Sequence, residues 1–411
     1  SCRYYLSGNA GITILLSYFS TSISCKAADA PTPLMSTLCS FCFYSFMYMT
    51  TTHKIIFAFD SFKGCLSSAE VGKAAAEGAE TEAAEVLNVS DGGDGMLCAF
   101  CQAYRAEQVS CNCHDALMRP IRAAYGLVGD MAIIETAQAC GLSLLESNER
   151  DAVGGTSYGA GELLIDAFER GARRFIIGLG GTATTDGGFG MLKALYVHAG
   201  PAAFFDTYLP RWRNECSWTL ASDVRNPLYG PQGAAVVFAP QKGATPAEVV
   251  RLDARLQRLA QHAARRMGHD CSMLPGAGAA GGLGYAFLQY FGAQMQSGAD
   301  LLLDALDFDT RLRDAALVIT GEGSADKQTL MGKLPWHVLQ RAQKAHVPCC
   351  LLAGKVSNRE ELLKAGFREV LCIHPAGLSK EEQLRTEVTK KNLSLTTSQL
   401  LTRFFSEEMK E

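Results

Sequence analysis

Glycine-rich runs that also carry aspartate, threonine, serine or lysine recur along this chain, and residues of these types at this spacing could bind an anion. The densest is residues 176–190, IIGLGGTATTDGGFG. An apolar stretch at 175–179 reads as a buried strand. It breaks into Gly180, Gly181, Thr182, Ala183, Thr184, Thr185 and Asp186, and Met191, Leu192 and Leu195 then mark one face of a helix. A strand, a glycine loop and a helix start aim backbone N–H groups at an anion, most often a phosphate. The threonine hydroxyls can bond phosphate oxygens, and Asp186 can hold a metal or take a proton. A tight strand-to-helix turn with a capping threonine or aspartate has the same composition, so the run by itself leaves both readings open.

The same mixture stands at other expected strand ends. Residues 55–59 lead into Asp60, Ser61, Phe62, Lys63 and Gly64. Lys63 there meets an anionic substrate or phosphate, or is a solvated turn lysine. A strand at 86–89 leads into Ser90, Asp91, Gly92, Gly93, Asp94 and Gly95. Thr156 and Ser157 precede a helix with Leu163, Leu164, Ala167 and Phe168 on one face. Asp223 sits at the end of a strand at 220–224 and suits a metal or substrate, or merely starts a turn; the turn-rich loop with Asn226 follows. A strand at 317–320 leads into Gly321, Glu322, Gly323, Ser324, Ala325, Asp326, Lys327 and Gln328. Together these loops hold donors for phosphate oxygens, carboxylates for Mg2+, a cation for developing charge and a base for a hydroxyl, which is the set phosphoryl transfer needs.

Other chemistries fit less well. Gly276, Gly278 and Gly281 match G-x-G-x-x-G, but residues 273–275 make a poor strand before them, and a dinucleotide fingerprint wants one. No glycine lies five residues before Gly332-Lys333 or Gly72-Lys73, so there is no Walker A loop, and the protein-kinase signature is missing. Cys98-x-x-Cys101 followed by Cys111-x-Cys113-His114 has pairs at chelating spacing, yet the first pair lies in a helical run; buried or incidental thiols are the reading preferred to zinc. A net charge of −4 gives no reason to expect nucleic acid, and neither apolar run near the N-terminus reaches membrane-span length. Fifteen cysteines without a regular framework point to a reducing compartment, hence the cytoplasm.

The elements that must position these loops are those of an α/β protein. At 411 residues, 48% hydrophobic and 19% charged, the chain is globular and long enough for two domains. Residues 1–48 show no sustained period and read as a non-native or disordered extension outside the fold. Strands and helices alternate at both chain ends, which predicts a parallel sheet there; residues 105–132 turn to alternating short strands. A strand is expected at 233–238, a charged amphipathic helix at 246–267 with proline at its first position, a further helix running to Phe291, and a closing helix at 398–409. Residues 197–218 give no clear pattern.

In order along the chain stand FAFDSFKGCLSSAEV from Phe57, SDGGDG from Ser90, IIETAQACGLSLL from Ile133, TSYGAGELL from Thr156, IIGLGGTATTDGG from Ile176, SDVRNPLYGPQGAA from Ser222, FAPQKGATP from Phe238, PGAGAAGGLG from Pro275 and VITGEGSADKQTLMGK from Val318. On these blocks the chain resembles the class I, bacterial-type glycerate kinases, from Lys54 to the C-terminus. The resemblance implies ATP-dependent phosphorylation of D-glycerate, with Mg2+, and favours the 2-hydroxyl. It implies a flavodoxin-like three-layer domain from residues 49–105 and 288–411, a middle restriction-endonuclease-like domain at 106–287, and an active site in the cleft between them.

The roles of single residues follow only from their types. Lys63, Asp186 and Asp326 are the catalytic candidates, either aspartate serving as base. Asp60, Ser61, Asp91, Gly92, Gly93, Thr156, Ser157, Gly180, Gly181, Thr182, Thr184, Asn226, Gly276, Gly278, Gly281 and Gln328 are candidates for phosphate or substrate, and Asp223 and Glu322 for the metal. Three departures from the family pattern stand out. Ser324 replaces an arginine, with Lys327 three residues on as a substitute; Asp94 replaces glutamate; Gly155 replaces threonine. A glycerate 3-kinase, an inactive sugar-acid-binding relative and an NAD-dependent oxidoreductase are the alternatives, and homo-oligomerisation is left open.

Overall fold

Apolar runs that do not alternate are the mark of strands buried on both faces. Residues 55–59, 317–319 and 349–353 are such runs, and all three lie in the interior of one parallel sheet. The computed structural model describes residues 3–7, 11–15, 23–24, 53–79, 81–89 and 95–408. It divides into two compact units, Ser1–Thr52 and His53–Glu411. In the first, Arg3–Ser7, Gly11–Leu15 and Ile23–Ser24 pair as a three-stranded antiparallel sheet, where no strand was expected.

The second unit runs through β1 (Lys54–Phe59), α1 (Ser68–Glu77), β2 (Ala84–Asn88) and α2 (Met96–Tyr104). Next come β3 (Glu107–His114), β4 (Pro120–Val128), β5 (Met131–Glu135), α3 (Tyr158–Glu169), β6 (Arg174–Gly178) and α4 (Phe189–Ala199). Then follow β7 (Ser217–Ala221), α5 (Pro246–Met267) and β8 (Gln294–Gln296). The chain finishes with β9 (Ala315–Ala325), α6 (Leu334–Lys344), β10 (Cys349–Val356), β11 (Glu369–Cys372) and α7 (Thr386–Glu408). Five strands form a wholly parallel sheet in the order β11-β10-β9-β1-β2, drawn from both chain ends. Six form a mixed sheet, β8-β7-β6-β5-β4-β3, parallel from β8 to β5 and antiparallel beyond.

Helices cover both faces of the parallel sheet. Ile55, Phe57 and Phe59 meet Val71 and Ala75 of α1 and Leu400 and Phe404 of α7. On the other face, Ile56, Val318 and Leu351 share one cluster with Val338 and Leu339 of α6. That cluster also takes in Met96 and Phe100 of α2 and Ile133 and Ile176 of the mixed sheet, so α2 lies in a layer common to both sheets.

Helix α5 spans the expected residues, capped by a reciprocal Thr245–Glu248 box with Pro246 following. The strand expected at 233–238 is instead a short helix, Ala234–Phe238. The reason lies in its spacing: Ala234 and Ala235 are buried together and Val236 and Val237 exposed together, a pair-in, pair-out pattern that a strand cannot make. The closing helix begins at Thr386 rather than 398, and β9 runs on to Ala325. The helix expected through Phe291 is broken into a 3-10 turn, one α turn and a π turn, because Ala280, Gly281 and Gly282 adopt left-handed backbone. The unread stretch contains Leu209–Glu215, whose Trp212 is wholly buried and stacks on Phe168 at 4.6 Å. Edge strand β8 belongs to the mixed sheet although it lies beyond residue 287.

Candidate active site

The carboxyl ends of parallel strands are where open α/β sheets expose backbone groups to a ligand. At the ends of β1, β9, β10 and β11 lies a cleft of about 830 Å³, whose lining includes Asp60, Lys63, Glu322, Ser324, Lys333, Lys355 and His374. Asp60 is buried and one of its oxygens accepts the Ser61 N–H at 2.7 Å. The chain turns there because the buried Ser68 hydroxyl donates to the Phe59 carbonyl at 2.7 Å, while Ser67 and Glu70 cap α1. Lys63 is exposed at the cleft.

Glu322 is buried on β9, and both its oxygens are engaged: Thr329 donates its hydroxyl at 2.6 Å and the Lys333 ammonium lies at 2.7 Å. Asp326 accepts the Gln328 N–H at 2.7 Å and caps the short turn Lys327–Met331, leaving Gln328 exposed. Lys327 pairs with Glu361 at 2.9 Å and is not among the residues that line the cleft, whereas Ser324 is. His374 accepts from the Asn392 amide through Nδ1 at 3.1 Å, and burial lowers its pKa from the usual histidine range.

A second group gathers at the carboxyl ends of β5 and β6. Asp186 is buried and accepts four hydrogen bonds at 2.8–3.0 Å, from the Ser157 N–H and hydroxyl and the Gly188 and Gly190 N–H groups. Its carboxylate thus ties the glycine loop to the starts of α3 and α4. Lys242, also buried, donates to the Thr184 carbonyl at 2.6 Å and lies 3.5 Å from the Thr182 hydroxyl. Gly181 accepts from Leu142 at 2.7 Å, and the loop continues from Gly180, which is half-buried. Thr156 is half-buried and accepts the Tyr158 N–H at 3.3 Å.

Gly276, Gly278 and Gly281 are buried too, and their lack of a side chain serves close backbone contact. A Cβ on Gly281 would stand 1.9 Å from the Thr184 carbonyl oxygen, and one on Gly278 2.3 Å from that of Pro227. Asn226 holds this junction, accepting the Gly278 N–H at 2.8 Å through its backbone carbonyl and donating its amide to Gln232.

The sequence-derived candidates therefore fall into two sets. Asp60, Lys63 and Glu322 line the cleft, with Ser61, Asp326 and Gln328 beside them in the chain. Thr156, Ser157, Gly180, Gly181, Thr182, Thr184, Asp186, Asn226, Gly276, Gly278 and Gly281 belong to the glycine-loop group. Asp91, Gly92 and Gly93 lie outside the described residues. Lys333, Lys355, His374 and Lys242 were not singled out from sequence; Lys355 follows a strand-end Ala-Gly, a signal that was available, whereas nothing local marks the burial of Lys242.

The metal candidates do not fit a shared site as they stand. Glu322 has its oxygens taken by an ammonium and a hydroxyl, and Asp223, exposed just past β7, does not line the cleft. Nor, among the described residues, do Cys98, Cys101, Cys111 and Cys113 gather at one point. Cys98 is exposed, Cys101 sits in the layer between the sheets, and Cys111 and Cys113 point into the core of the mixed sheet. Burial raises the Cys113 thiol to about 12. Among the described residues no helix is long and apolar enough to cross a membrane.

Comparison with known proteins bears on the same residues. The sequence model of the Glycerate kinase family matches residues 55–405. The chain is 38% identical to a glycerate kinase of Bacillus subtilis over 353 residues, covering 80% of this chain and 92% of the relative. It is 37% identical to the glycerate 2-kinase of Escherichia coli over 328 residues, covering 74% and 86%. A solved structure of a candidate glycerate kinase 2 from Salmonella typhimurium LT2 superposes with a TM-score of 0.71 at 33% identity, covering 87% of this chain and 99% of that one. The match spans both sheets, the lysine-lined cleft and the glycine loop alike, and the chain is a member of the glycerate kinase family.

Proposed function

We propose that the protein transfers the γ-phosphoryl group of ATP to D-glycerate at its 2-hydroxyl, in the cytoplasm, giving 2-phosphoglycerate. The observation that carries this reading is the cleft at the ends of the parallel strands. Its volume, about 830 Å³, suits a nucleotide-sized ligand, and Lys63, Lys333 and Lys355 supply positive charge for one bearing several negative ones. The choice of the 2-hydroxyl leans on the resemblance to the E. coli enzyme named a glycerate 2-kinase.

In this reading Lys63, exposed at the cleft, moves with the transferring phosphoryl group, while Lys333 is held by Glu322 and fixes the floor. Ser324 lines the same space without the charge of an arginine. Asp186 is committed to its four donors and anchors the loop; Asp326, which accepts the Gln328 N–H and stands two residues beyond cleft-lining Ser324, is the aspartate left to take the proton from the glycerate hydroxyl. Magnesium arriving with ATP would neutralise phosphate charge, and Glu322, engaged by Thr329 and Lys333, is not free to hold it.

The test is a coupled assay of ADP release with D-glycerate, followed by identification of the phosphoglycerate isomer by phosphorus NMR. ADP and 2-phosphoglycerate are expected. No ADP from folded protein overturns the kinase reading; 3-phosphoglycerate overturns only the choice of hydroxyl.

A further inference from the structure

Beneath the glycine loop lies a charge that the reaction scheme above does not use. Lys242 ends the short turn Pro240–Lys242 and is only 3% exposed. A lysine so buried must be compensated, and its ammonium is bonded to the Thr184 carbonyl at 2.6 Å. With that carbonyl turned inward, and those of Gly181 and Cys140 bonded to Leu142 and Ala183, the loop is left with unspent donors. The hydroxyls of Thr184 and Thr185 are buried and have no hydrogen-bond partner among the described residues. Nor do the N–H groups of Gly180, Gly181, Thr182, Thr184 and Thr185 donate to another backbone carbonyl among them. Buried hydroxyls without partners, as in Thr184 and Thr185, are rare and call for an explanation, and the open N–H groups of half-buried Gly180 and exposed Gly181 beside them are where an anionic group would meet the loop.

We propose that Lys242 is a positioning residue, whose buried ammonium pins residues 180–185 into a cradle for an anionic group of a substrate, either a phosphate of ATP or the carboxylate of glycerate. This rests on the kinase reading for the identity of those substrates. Lys242 touches neither of them: it orients the donors and adds positive potential behind them.

The ammonium has a titration of its own. Burial lowers its pKa from 10.5 to about 8, against the opposing pull of Cys140 and Asp186, the titratable groups that face it from the helix Ala137–Cys140 and from the loop. Arg150 lies outside, on the Gln241 carbonyl. Because the folded value is below the unfolded one, the cost of burying the charge is fully present below about pH 8 and is relieved as pH rises towards 10.5. Deprotonation therefore does not weaken the fold, and the neutral amine still donates to Thr184; only the positive potential is lost.

The test measures KM for ATP and for D-glycerate between about pH 7 and about pH 9.5 in the wild type and in Lys242→Met. In the wild type, KM for one substrate is expected to rise above about pH 8 and level off at no more than about tenfold, the effect of losing the charge alone, while the other stays flat. The substrate that responds identifies the anion. Lys242→Met is expected to raise that same KM about tenfold or more near pH 7, with a smaller change in kcat, and to remove the pH response. Thermal melting should show the wild type gaining stability relative to the variant as pH rises above 8, opposite in sign to the loss of affinity. Flat KM values for both substrates in the wild type overturn the inference, as does a folded Lys242→Met with both unchanged. Should the variant fail to fold, the wild-type profile decides. The same profile taken as dissociation constants by calorimetry tests the cradle even if no ADP is released, an outcome that would overturn the kinase reading alone.

Discussion

Two residues of similar promise in the sequence have opposite surroundings, and mutation separates them. Lys63 is exposed at the cleft. Lys63→Ala is expected to leave stability within about 0.5 kcal/mol and to lower kcat/KM about a hundredfold or more, read by urea denaturation beside the ADP assay. Asp186 is buried under four donors. Asp186→Ala strands those donors, and a loss of about 3 kcal/mol or more is expected in the same denaturation. An Asp186→Ala protein as stable as wild type but inactive would return that carboxylate to the catalytic set. Both residues were legible as polar groups on a glycine loop. What was not legible was the partner, since Ser157, which supplies two of the four donors, lies 29 residues away in sequence.

The unit that decides the geometry of the glycine loop is a pair of loops. Residues 276–284 carry Gly281 in left-handed backbone, with its Cβ direction filled by the Thr184 carbonyl, and its own carbonyl accepts the Gly187 N–H at 3.0 Å. Gly281→Ala meets both the backbone penalty and a direct collision. A fall in stability of about 2 kcal/mol or more is expected, together with a raised KM for whichever substrate the 180–185 loop holds; a KM unchanged in folded variant protein would separate the two loops functionally. The run that looked like a dinucleotide fingerprint thus reads as a docking surface, its glycines placed for backbone contact. The misread element, Ala234–Phe238, fails for a related reason: valine-rich runs favour strands by propensity, and the burial of Ala234 and Ala235 against the mixed sheet's core overrides it.

At the largest scale, α2 packs against both sheets, and the shared core predicts that they unfold together. Phe100 is wholly buried in the cluster shared by Ile56 and Val318 of one sheet and Ile133 and Ile176 of the other. Phe100→Ala is expected to cost about 3–5 kcal/mol in a single urea transition; two resolved transitions would show that the sheets unfold separately. Residues 1–52 form a unit of their own, and the family match begins at residue 55. Removing residues 1–52 is expected to leave melting temperature and ADP release unchanged, and a loss of either would assign that unit a part in folding or catalysis.

The sequence alone determined the strand-and-glycine-loop grammar, the long capped helix α5, the parallel sheet built from both chain ends, and membership of the family, because hydrophobic period, caps and ordered motifs are written in neighbouring residues. It could not assign charges their work. Tertiary structure gave Glu322 to Lys333, turned Lys327 towards Glu361, closed Asp186 within its loop, and buried Lys242 against Thr184, 58 residues away. A carboxylate or an ammonium is catalytic, structural or metal-binding according to what surrounds it, and only the fold brings those surroundings together.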